Sequence, residues 1–92
     1  MPTIAEETGH ANEERAADAE TALLAYAGTQ SSDEKTYLKE EGHETVIADL
    51  LCDLMHLAHR QGLNFGPMAE RAADHFLYET GNDAYRAAWW KS

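Results

Sequence analysis

The chain has 92 residues, enough for one domain and not two, and its 43% hydrophobic content is too high for a disordered polypeptide. Seventeen acidic residues stand against seven basic ones, a net charge of −10, and a field of that sign repels phosphate, so direct binding to nucleic acid or to an anionic membrane is not expected. The single cysteine, Cys52, excludes an intrachain disulfide, and no apolar run approaches transmembrane length.

The first stretch, MPTIAEETGH, has no apolar centre and no basic start, so it is not read as a signal peptide, and a cytoplasmic location is expected. Residues 1–11, polar and interrupted by Pro2 and Gly9, read as a flexible arm ahead of a single helical domain over 12–92. A helix is predicted over about 12–28. Asn12 is placed to cap it, Glu13 and Glu14 suit the positive end of its dipole, and Gly28 is its expected stop. Its apolar positions are mainly alanine: Ala16, Ala19, Leu23, Tyr26 and Ala27.

Ser31, followed three residues later by Glu34, has the form of a capping box. Asp33, Glu34, Tyr37 and Leu38 then begin further helix. Gly42 interrupts it, at a cost of about 1 kcal/mol relative to alanine, so 32–61 reads as one weakened helix or two in sequence. From Glu44 to Gln61, the residues Val46, Ile47, Leu50, Leu51, Leu54 and Met55 fall at helical spacing and, with Leu57 and Ala58, cover about half the circumference. A stripe that wide exceeds what one neighbouring helix covers. It predicts a central helix touching several others, a second copy of the chain among the candidates. Cys52 lies within this run and reads as buried filler; its acidic neighbours Asp49 and Asp53 do not favour a reactive thiolate.

Gly62 ends that helix, and a last sizeable helix begins near Asn64 or Phe65 with Pro67 in its first turn. It runs to about residue 80, where Gly81 closes it. Asn82 or Asp83 is placed to start a short C-terminal helix carrying Tyr85, Ala88, Trp89 and Trp90. No stretch alternates apolar and polar residues as a half-buried strand does. The predicted fold is therefore all-α: a small helical bundle built on an antiparallel hairpin, about 43–61 against 65–80, with the N-terminal helix and a short C-terminal helix packed across it.

Three groups could carry function. Asp49, Asp53 and His56 share one helix face and could offer ligands to a divalent metal, with Glu41 and Glu44 among the acids that could complete the shell. The commoner meaning of such a line is a solvated face on which His56 and Arg60 offset the carboxylates. His56, His59 and His75 form a second group, without an HExxH pattern. The third is the aromatic cluster Tyr78, Tyr85, Trp89 and Trp90. Two adjacent tryptophans cannot both face inward from one helix, so Tyr85, Trp89 and Trp90, together with Leu50 and Leu54 on the broad stripe, are the expected partner-binding residues. No phosphate loop, dinucleotide fingerprint, nucleophile elbow or CxxC pair occurs, and no cofactor is expected.

The run Ala48 to Ala58, then Gly62-Leu63-Asn64-Phe65, Ala69-Glu70-Arg71-Ala72 and His75-Phe76, resembles short bacterial proteins of phage, plasmid and mobile-element type. That resemblance covers about 35 residues and implies a helical hairpin with an accessory role. The same run is similar to the later helices of MazG-like nucleotide pyrophosphohydrolases, which hold Mg²⁺ with an EExxE motif on one helix and an ExxD motif on the next. Glu40, Glu41 and Glu44 reproduce EExxE, and Asp49 stands where the ExxD aspartate would, with Val46 in place of its glutamate. The leading expectation is a non-enzymatic acidic interaction protein. It would self-associate or bind a protein partner with a basic surface, inhibition of a nucleic-acid-handling machine being one form. A Mg²⁺-dependent pyrophosphohydrolase is the alternative.

Overall fold

In the computed structural model the described residues are 4–81, with side chains described from residue 11 onward. The predicted C-terminal helix, with Tyr85, Trp89 and Trp90, lies outside them. The described chain is all-α, with no strand among the described residues: α1 spans Ile4–Gln30, α2 Glu34–Glu41, α3 His43–Arg60 and α4 Phe65–Thr80. No helix among the described residues is long and apolar enough to cross a membrane.

Helix α1 starts eight residues before the expected Asn12 and includes Gly9. Most of the segment read as an arm is therefore helical. Ala5, Glu6 and Glu7 are good helix formers, which sustain the helix through this stretch. Asn12 is consequently not a cap. Its side-chain amide instead donates to the Glu79 carbonyl at 3.0 Å, across to the end of α4. Helix α1 also runs past Gly28 to Gln30.

Helix α2 is capped by Asp33 rather than Ser31: the Asp33 carboxylate accepts from the Thr36 backbone N–H at 3.1 Å and from the Thr36 hydroxyl at 2.8 Å. These bonds hold the Asp33 carboxyl below the usual carboxylate range, the backbone bond most of all. The 32–61 stretch is two helices. At Gly42 the backbone takes φ 87° and ψ 149°, a conformation that a side chain opposes. Gly42 donates to the Leu38 carbonyl and accepts from the Val46 N–H, so it closes α2 and opens α3 at once.

Helix α3 ends in a Schellman turn, the form in which a left-handed glycine lets two amides bond back to the last carbonyls. Gly62, at φ 72°, donates to His59 at 3.1 Å, and Leu63 donates to Ala58 at 2.8 Å. Asn64 then caps α4 by accepting from Gly66 N–H at 3.2 Å. Four residues thus reverse the chain and set α3 and α4 side by side.

The core sits where α1, α2 and α3 meet. Leu23, Leu38 and Val46 are buried together, with Leu24, Tyr26, Tyr37 and Leu50 packed around them. Ala27 is fully buried, its small side chain allowing close packing on α1. Helices α1 and α3 each meet every other described helix, and the most extensive contact is between α1 and α2. The 44–61 helix thus touches three others, as its wide stripe predicts, yet only Val46 and Ala58 of that stripe are buried, while Ile47, Leu51, Leu54, Met55 and Leu57 stay exposed.

Candidate functional site

Helices α3 and α4 leave an apolar groove of ≈ 730 Å³ between them. Leu51, Leu54 and Leu57 form its α3 wall, and Met68, Ala72 and Phe76 its α4 wall. The walls follow from helical periodicity: steps of three and four residues bring these positions onto one side of each helix. Ala58 and Ala73 lie in the same groove as its most buried members. Leu63 and Phe65, on the turn, close one end, and among the described residues Gln61 is the one polar lining residue.

The wall side chains are far more open than a core would leave them: Leu54 is 42% exposed, Leu57 54%, Met68 44% and Phe76 40%. Among the described residues no charged side chain lines the groove. At 100° per residue, Asp49, His56 and Arg60 fall on the side of α3 turned away from the groove, and Asp53 on the flank next to Leu57. A cleft for a small molecule combines apolar walls with a few placed polar groups that orient the ligand. This one presents almost nothing but hydrocarbon, which suits the apolar face of another helix.

The expected partner-binding residues divide. Leu54 lines the groove. Leu50, four residues earlier, is turned instead toward the α1–α2–α3 core and is partly buried. Tyr85, Trp89 and Trp90 fall outside the described residues. Leu57, Met68 and Phe76 were not singled out from sequence as partner-binding; the signal that could have found them is an apolar face on both helices of one hairpin. Cys52 is exposed, not buried filler, because it sits on the flank of α3 that no other described helix covers.

Glu41, Glu44, Asp49, Asp53 and His56 are all exposed. They do not converge: among the described residues no three His, Cys, Asp or Glu side chains gather into a set that could hold a metal ion. Asp53 is engaged elsewhere, accepting a hydrogen bond from the Tyr26 hydroxyl at 2.5 Å. That bond, with lesser effects from desolvation and the charges of Asp53 and Asp49, pushes the Tyr26 phenol up to about 12.

A smaller cleft of ≈ 480 Å³ lies between α1 and the α2–α3 junction, bordered by Glu20, Lys35, Lys39 and His43. Its imidazole already has a partner, His43 Nε2 lying 2.9 Å from both Glu20 carboxylate oxygens.

No family model, no curated protein and no solved structure matches the chain.

Proposed function

We propose that the chain is a non-enzymatic, acidic helical interaction protein whose working surface is the α3–α4 groove, used in self-association or with a protein partner. The observation that carries this reading is the groove itself: two helices of one hairpin expose facing apolar walls, with no charge among the described lining residues. Hydrocarbon left in water at about 25 cal/mol per Å² is a standing free-energy gain for any surface that covers it. The net charge of −10 would favour a partner whose groove-filling helix is flanked by lysine and arginine. A basic channel on a nucleic-acid-handling machine is one surface of that chemistry.

The test is selection of a displayed library of helical peptides on the immobilised chain, with counter-selection on the Leu54→Glu variant. The expected outcome is enrichment of amphipathic helices with apolar residues at i, i+3, i+4 and i+7 that bind the wild type and not the variant. Absence of any Leu54-dependent ligand would overturn the reading.

A further inference from the structure

We infer that the cleft between α1 and the α2–α3 junction is a site for a small phosphate monoester with a short apolar body, held at its anionic end by Lys35 and Lys39. The cleft shares no described lining residue with the α3–α4 groove, so its ligand is independent of whatever fills that groove. The first observation is the make-up of the lining. A volume of ≈ 480 Å³ is of the size that small-molecule sites take. The cleft also has what the larger groove lacks, an apolar floor with a few polar groups set around it. Leu38, 4% exposed, and the partly buried Leu24 supply the floor. Lys35, Lys39, Glu20 and His43 supply the polar groups.

The second observation is the state of the two lysines. Acids outnumber bases seventeen to seven in the chain, yet among the described residues neither Lys35 nor Lys39 forms an ion pair. Asp33, whose charge Lys35 feels, gives its carboxylate to Thr36. The lysines stand one turn apart on α2, and like charges at that spacing weaken a helix. An anion seated between them replaces that repulsion with attraction on both sides. A phosphate monoester carries close to two negative charges at neutral pH, which matches two ammonium groups. Glu20, the one acid among the described lining residues, does not leave its carboxylate bare: both oxygens lie 2.9 Å from His43 Nε2. The net charge of −10 opposes a polyanion, whose many phosphates would span the acidic surface. A single small anion answers mainly to the charges that touch it.

The experiment is a titration of the full chain with phenyl phosphate, followed by amide-resolved NMR, with inorganic phosphate and phenol as separate probes. The expected result is saturable shifts centred on the amides of Leu24, Leu38 and His43, weaker with inorganic phosphate and absent with phenol. Lys35→Gln and Lys39→Gln should each weaken phenyl phosphate by about three- to fivefold, the range of a solvent-screened charge pair, whereas Lys39→Arg keeps the binding. Affinity should fall as NaCl rises.

Three results would overturn this assignment. No saturable shift at millimolar phenyl phosphate means that the cleft holds no such ligand. Shifts that persist when Lys35→Gln and Lys39→Gln are combined, with the helices verified by circular dichroism, place the contact elsewhere. Phenol shifting the same amides as strongly as phenyl phosphate means that the lysines do not select the anion. None of these outcomes bears on the α3–α4 groove, which is probed through Leu54.

Discussion

The hydroxyl of Tyr26 on α1 donates to the carboxylate of Asp53 on α3, oxygen to oxygen at 2.5 Å. It is the polar counterpart of the Leu23–Val46 contact between the same helices. It also takes one carboxylate of the Asp49–Asp53 line into a structural role.

One consequence is spectroscopic. Raised to about 12, Tyr26 is expected to ionise later than an ordinary tyrosine. A group whose pKa is higher folded than unfolded favours the folded chain while it is protonated. The Tyr26 contribution is therefore complete below about pH 10, its unfolded value, and is lost as pH rises from there through about 12. Absorbance at 295 nm should show a late-titrating tyrosine that disappears in Tyr26→Phe and moves toward 10 in Asp53→Asn. An unchanged late component in both variants would contradict the bond.

The Asp33 cap acts in the opposite pH range. Its carboxyl is lowered, chiefly by the Thr36 backbone bond, so its contribution is present above the ordinary aspartate value of about 3.9 and is lost as pH falls through the folded value. Asp33→Ala should lower the urea midpoint at neutral pH. The gap between wild type and variant should close on acidification below 4. A gap that stays constant with pH would mean that the carboxylate is not the cap.

Gly42 is held by torsion, not by crowding. A Cβ there would meet no atom within 4 Å, yet φ 87° with ψ 149° costs an L-residue about 1–3 kcal/mol. Gly42→Ala should destabilise by that amount in chemical denaturation. Gly28 is the contrasting case. It lies inside α1, has no positive φ, and an added Cβ would sit 3.9 Å from Glu34 Cβ, an ordinary contact. Gly28→Ala should stabilise by about 0.5–1 kcal/mol. Equal signs for the two substitutions would sink this account.

Core and groove should respond differently to truncation. Leu38, 4% exposed, should cost roughly 2–5 kcal/mol on change to alanine, enough to unfold much of a chain this small. Leu54→Ala should cost the monomer much less, because that side chain has few neighbours to lose. Urea titrations at low micromolar concentration provide the comparison.

Much of the helical hairpin was legible in the residues. Gly62 and Asn64 mark the α3–α4 turn because each supplies a specific chemistry, a left-handed backbone and a side-chain cap. Gly42 marked the break between α2 and α3, although composition alone left one helix or two open. The width of the α3 stripe correctly signalled more apolar surface than one neighbour covers. Which part of that stripe stays open was not legible. Leu50 and Leu54 are equally apolar and only four residues apart, and the placement of α1 decides that the first packs inward. The same long-range placement redirected Asn12 from a cap to the Glu79 carbonyl. It also set Tyr26 beside Asp53, a pair 27 positions apart in sequence. The start of α1 was missed because a polar run of good helix formers looks the same, residue by residue, whether ordered or frayed.

The Leu23–Leu38–Val46 cluster and the α3–α4 groove lie in different parts of the molecule, and they divide its breathing. Amides around the cluster can exchange with solvent only when three helices come apart together. Those of α4 are guarded mainly by its own turns and by the Asn12 and Arg15 links to Glu79, so α4 is placed to open by itself while the rest stays folded. Occupation of the groove would then be felt first as slowed exchange along α4. The described helix expected to be least protected is thus the one whose protection would report whether its apolar wall has found a partner.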